Sequence, residues 1–245
     1  MISDTSLGGP QKGFPDTQAT LLTGLRSADR EERRIAFGAF SASYWKPIYS
    51  YVRIAWAKGN EEAKDLTQAF LLWLLEGEAL DRFESERGSF RRYLKVVLRS
   101  FVGHQAAALG RLKRGGGTLT LSLDLEAPGI DEFLSASRIS DPDAAFERAW
   151  RLELVDQAIE RVKSRYIESG RASEFGVFAD YALDPAAEKP TYEELAERYG
   201  WSGDEVRKGL SQVRQDIRRE IHAELVRLTG SDREAQDEWN TLFGT

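Results

Sequence analysis

Thr191 is followed three residues on by Glu194, and Ser202 three residues on by Glu205, so two helix-start signals stand eleven residues apart near the C-terminus. In each pair the hydroxyl can satisfy a free backbone N–H of the first turn, while the glutamate reaches back to the cap residue. The first helix, Tyr192 to Tyr199, therefore has to stop before the second begins. Gly200 supplies the left-handed turn for that stop. Ala196 is small enough to let a second helix approach, and Val206 is placed to close the corner. Few arrangements satisfy this spacing, and the one it predicts is a helix-turn-helix whose second helix has an outer face free to enter a DNA major groove.

The rest of the chain reads as helix by the same kind of argument. Apolar residues recur at three- and four-residue spacing through Asp29–Ser43, Lys46–Ala57, Asn60–Leu75, Ser89–Lys113, Pro142–Ser169, Tyr192–Tyr199 and Gly203–Thr229. Pro47 suits the first turn of its helix. A short buried helix is expected within 170–190, ending near Asp184-Pro185. The alternating run Thr118 to Leu123 has no partner strand and is expected to be extended linker. The predicted fold is all-α, with two helical domains joined by a linker. Residues 1–19 are a flexible tail, 20–115 a helical domain, 116–141 the linker, 142–230 the helix-turn-helix domain and 231–245 a C-terminal tail.

Composition excludes several functions. The chain has 245 residues, no cysteine and two histidines, His104 and His222. Disulfides and thiolate metal sites are excluded, and neither a zinc site nor a histidine-based triad is expected. No carboxylate pair has a recognisable acid/base or metal spacing, and no glycine-rich phosphate loop follows a strand. We therefore expect no enzyme, no catalytic residue, no metal and no cofactor. No apolar run reaches the ~20 residues of a membrane span, and the polar N-terminus has no signal-peptide core, so a cytoplasmic protein is expected.

The net charge is −6, but its placement is uneven. From Arg87 to Leu123 there is no acidic residue, while Arg87, Arg91, Arg92, Lys95, Arg99, Arg111, Lys113 and Arg114 all fall there. Arg207, Lys208, Arg214, Arg218 and Arg219 form a second basic set on the last helix. Acid is gathered elsewhere, at 61–65, 76–86 and 124–143. Two basic surfaces on an acidic chain point to DNA contact at two places.

With these features in place, the chain resembles the bacterial RNA polymerase sigma factors of the extracytoplasmic-function type. Glu62-Ala63-Lys64-Asp65-Leu66-Thr67-Gln68-Ala69-Phe70 is similar to the family's Asp-Ala-Glu-Asp-Leu-x-Gln-x-Phe signature. Phe90-Arg91-Arg92-Tyr93-Leu94, followed by Arg99, resembles the helix that handles the minus-ten element. Tyr192-Glu193-Glu194-Leu195-Ala196 resembles the Tyr-x-Glu-Ile-Ala start of its final helix-turn-helix. Together these matches span most of residues 30–225. Tyr44-Trp45-Lys46-Pro47, Lys113-Arg114-Gly115-Gly116 and Ala149-Trp150 are similar to the sigma-like proteins of planctomycete-type bacteria. Ser100, His104 and the insert at 170–190 depart from the family pattern.

The resemblance implies a promoter-recognition factor with core RNA polymerase and promoter DNA as partners; an anti-sigma factor stands as a further candidate. Asp65, Leu66, Thr67 and Gln68 are the implied polymerase-binding residues, with Asp65 and Gln68 projecting outward. Arg91, Arg92, Tyr93, Lys95 and Arg99 are expected to handle melting DNA at the minus-ten element, Tyr93 by stacking on an unpaired base. Arg207, Lys208, Ser211, Gln212, Arg214 and Arg218 are expected at the minus-thirty-five element. The first two, with Ser211 and Gln212, would read bases, and Arg214 and Arg218 would hold phosphates. Asp124, Glu126, Asp131 and Glu132 either mimic phosphates in the polymerase cleft or belong to a solvated tether. The competing function is a one-component helix-turn-helix regulator, which has no need of the Asp65–Phe70 docking helix.

Overall fold

The computed structural model describes residues 18–56, 59–84, 89–109, 139–183, 189–229 and 231–244, and these are all helix or the connections between helices. They divide into two units. One contains the described residues up to Ala149 together with 227–232, and the other 150–226 with those after 232. The acidic segment with Asp124, Glu126, Asp131 and Glu132, the alternating run 118–123, and residues 1–17 of the tail expected over 1–19 lie outside the described residues, while Gln18 and Ala19 begin the first helix.

In the first unit, α1 (Gln18–Leu25) packs on α2 (Arg30–Trp56), and α2 packs on α3 (Asn60–Glu76) and α4 (Phe90–Leu109). Aromatic residues fill the centre. Phe40 stacks on Tyr44 at 5.1 Å, and both meet the edge of Phe90 at 6.1 and 5.9 Å. Burying each such ring contributes about 2–3 kcal/mol, with a further gain from edge-to-face geometry.

That packing explains why α2 is one helix where the sequence suggested two. Pro47 lies inside it. A proline there forfeits the backbone bond to the residue four positions earlier and crowds its carbonyl. Phe40, Tyr44 and Ile48 are all buried across the break, and their common seat in the core holds the helix together through it.

The second unit is built on α5 (Pro142–Glu168), whose later turns bury Trp150, Leu154, Ala158, Val162 and Tyr166 at four-residue spacing. α6 (Ala172–Ala182) buries Phe175, Val177 and Phe178. It is the short buried helix expected within 170–190. α6 packs on α7 (Tyr192–Tyr199), and Gly176 lets Tyr199 lie against it: a Cβ there would stand 2.9 Å from the Tyr199 hydroxyl. α8 (Gly203–Thr229) buries Val206, Leu210, Val213, Ile217, Ile221 and Leu225, the inward stripe that its spacing predicts.

Two boundaries differ from expectation. The division between the units falls inside α5, between Ala149 and Trp150, because the first turns of α5 belong with α4. The C-terminal stretch expected as a tail contains α9 (Asp232–Phe243), an amphipathic helix that buries Ala235 and Leu242. Ser231 and Glu234 repeat the Ser-x-x-Glu spacing seen at the other two helix starts, a signal that could have found it.

Candidate nucleic-acid interface

The corner between α7 and α8 is held by both capping boxes. The Thr191 hydroxyl accepts from the Glu194 N–H at 3.2 Å, and the Glu194 carboxylate accepts from the Thr191 N–H at 2.8 Å. Ser202 and Glu205 repeat the exchange at 3.3 and 2.7 Å. The Ser202 backbone N–H and then its hydroxyl hold the Glu205 carboxyl below the usual carboxylate range. Gly200 takes a left-handed φ of 68° and its N–H bonds the Ala196 carbonyl. Leu195 and Val206 are fully buried beneath the turn.

This corner leaves Lys208, Ser211, Arg214, Gln215 and Arg218 exposed along α8. Arg207 is also exposed, but it bonds Asp204 one turn earlier at 2.8 Å. Gln212 is half-buried and donates to Asp216 at 3.3 and 3.4 Å. Asp216 also accepts from the Tyr166 hydroxyl at 2.6 Å and from Arg219. Burial works against the charge on Asp216, but the bonds from Tyr166, Gln212 and Arg219 outweigh it, and its carboxyl sits below its ordinary value. The amide of Gln212 is thus turned toward an internal network. Gln215, one turn beyond Ser211, is exposed on the same face and joins the candidate base readers. Its four-residue spacing from Ser211 was the available signal.

Beside this face runs an open groove of about 660 Å³, lined by Arg171, Trp201, Lys208, Ser211, Gln212 and Gln215. Trp201 forms its wall. The ring closes to 3.1 Å from where a Cβ on Gly209 would stand, so glycine at that position admits the indole.

The basic side of α4 is differently placed. Arg91 is 5% exposed and pairs with Glu147 of α5, which also takes Lys95. Arg99 bonds Asp143 at 2.5 Å. Its charge is favoured first by a bond with the Tyr51 hydroxyl and then by Asp143. Tyr93, expected to stack on a base, donates its hydroxyl to the Ala79 carbonyl at 2.5 Å and lies against Phe83 at 5.4 Å. Its ring is half-buried against the edge of the aromatic cluster. Arg92 is the member of this set whose side chain is exposed and pairs with no acid among the described residues. Arg87, Arg111, Lys113 and Arg114 lie outside them.

On α3, Asp65 is exposed and Gln68 half-buried. Leu66 and Thr67 are not surface residues: Leu66 is buried, and Thr67 is fully enclosed with its hydroxyl donating to the Ala63 carbonyl at 2.8 Å. Of the four residues implied as a docking set, one is exposed, one half-buried and two lie in the core, because a contiguous run of four turns right around a helix. Trp73, two turns beyond Asp65, is 41% exposed and rests against Phe70 and Phe101.

Among the described residues no helix is long and apolar enough to cross a membrane, and no group of three acidic or histidine side chains could hold a metal. Compared with known protein families, with curated proteins and with solved structures, the chain matches none.

Proposed function

We propose that the chain is a sigma-type initiation factor of the extracytoplasmic-function kind. In this reading it acts in the cytoplasm, binds core RNA polymerase through α3 and directs it to promoters through α8. The observation that carries the DNA-reading half is the doubly capped corner, which fixes α8 with Lys208, Ser211, Gln215 and Arg218 outward. Lysine donates to guanine O6 and N7, and serine and glutamine bond base edges. Arg218 and Arg214 suit phosphates. The polymerase half rests on the sequence resemblance and on the exposure of Asp65, with Gln68 half-buried beside it. The four-helix part would be the promoter-melting domain and the part after α5 begins the helix-turn-helix domain, joined by the 116–141 linker.

For α4 to hold melted DNA, Arg91, Lys95 and Arg99 have to exchange carboxylate partners for phosphates. That requirement favours a second reading, a one-component helix-turn-helix regulator, in which α4 is structural and only duplex DNA is bound.

Mixing the purified chain with bacterial core polymerase separates the two. Co-elution and promoter-specific transcription support the initiation factor. Asp65→Ala with Gln68→Ala should then weaken core binding by ~1–3 kcal/mol. Sequence-specific duplex binding without polymerase association supports the regulator.

A further inference from the structure

Beside α8, three side chains converge on the ring of Tyr181. The Lys189 ammonium lies 4.2 Å from the centroid of Tyr181, and the Arg214 guanidinium lies 5.4 Å from it. Tyr192, the first residue of α7, sets its ring 5.5 Å from Tyr181. Tyr181 comes from the last turn of α6, within the insert that departs from the family pattern.

The chemistry here differs from that of the neighbouring Arg198 and Arg207. Arg198 pairs with Asp180 at 2.7 Å, and Arg207 with Asp204. Among the described residues Lys189 and Arg214 have no carboxylate partner; their contact is an aromatic face. A cation over a ring is oriented by the ring's quadrupole, but its charge is not cancelled. Two cations with no carboxylate partner among the described residues are therefore held beside one ring, with two phenolic hydroxyls next to them. The Tyr181 hydroxyl is held below its ordinary range by the Tyr192 hydroxyl first, then by Lys189, with the Arg214 charge adding to it. The site collects donors and positive charge and is open to solvent.

We propose that Tyr181, Lys189, Tyr192 and Arg214 form a binding site for a phosphodiester of duplex DNA, which sets how deeply and in what register α8 enters the major groove. The site rests on the DNA-binding reading above and adds to it a contact supplied by α6 and the residues ahead of α7. The ring fixes both cations before DNA arrives, so less side-chain freedom is lost on binding. A phosphate placed there carries no sequence information.

The test uses the full chain and a duplex DNA pool of randomised sequence, with binding measured across a salt series and the preferred bases read by selection. Each phosphate contact removed should lower the slope of log affinity against log salt by about 0.9. Lys189→Gln and Arg214→Gln should each show that change and weaken binding about fivefold at low salt, with the selected bases and the melting temperature unchanged. Tyr181→Phe, which keeps the ring, should keep most of the affinity, and Tyr181→Leu should not. If the wild-type chain binds duplex DNA but both glutamine variants keep its salt slope, the site is overturned while the DNA reading stands. If the wild-type chain binds no duplex at all, both are overturned.

Discussion

α4 and α8 look alike on a helical projection: an apolar stripe on one side, arginine and lysine on the other. Their surroundings make them opposites. Three of the cations of α4, Arg91, Lys95 and Arg99, meet Glu147 and Asp143 from the first turns of α5, and Arg91 is taken into the interior. Those of α8 meet water, the Tyr181 ring, or an acid one turn away on the same helix. Charge on a helix face is a property of sequence. Charge available to a partner is a property of packing, because a carboxylate brought in from elsewhere can cancel it.

The largest effect that could break this contrast concerns Glu147. Removing one member of a buried pair strands the other's charge at a cost of about 3 kcal/mol, whereas an exposed substitution stays within about 0.5 kcal/mol. Glu147→Ala should lower stability in urea melts by roughly the first figure, and Arg218→Ala by no more than the second. Equal costs would mean that the two basic faces are equivalent after all.

The caps of the reading corner come next. Thr191→Ala and Ser202→Ala should each cost about 1 kcal/mol, and both should lower affinity for duplex DNA because α8 loses its fixed entry angle. A cap variant that melts earlier yet binds DNA as before would detach the corner from the function.

A pH series sharpens the account of what anchors α8 from behind. The Asp216 carboxyl is depressed in the folded state, so its contribution is present above its unfolded value, about 3.9, and is lost as the pH falls below that. The Tyr166 hydroxyl is pushed up to about 12, first by burial and then by its bond to Asp216. Its contribution is present below its unfolded value, about 10, and disappears as the pH rises through about 12. Asp216→Asn should flatten the acid limb of melting temperature against pH, and Tyr166→Phe the alkaline limb. Unchanged limbs in both variants would remove this network from the account.

The smallest effect belongs to Arg92. Its loss should leave stability within about 0.5 kcal/mol but reduce the salt slope for single-stranded DNA by about 0.7. An unchanged slope would leave α4 with no nucleic-acid role in this conformation.

The corner was legible in sequence to the residue, since caps, glycine and apolar spacing all act within a few positions of one another. So were the inward stripe of α8 and the short helix of the insert. The continuity of α2 was not, because local chemistry at Pro47 argues for a break and only the distant Phe90 ring shows what overrides it. The fate of α4 was hidden for the same reason: Glu147 stands 52 residues from Lys95, and no local window joins them. The enclosure of Thr67 was readable from helical periodicity beside Leu66 and Phe70, whereas a contiguous four-residue motif mixes the two faces of the helix. The Tyr181 cluster needed three segments to be brought together.

The most direct test of the central claim is transcription by core polymerase with this chain, on a library in which every upstream promoter position is randomised. The account predicts defined start sites with preferred upstream bases. Lys208→Ala and Gln215→Ala should each relax the preference at one or two positions by ~1–3 kcal/mol, while Arg218→Ala weakens all promoters alike. Output that falls uniformly in the Lys208 and Gln215 variants with the preferred bases unchanged, or no specific transcription by the wild-type chain, would contradict it.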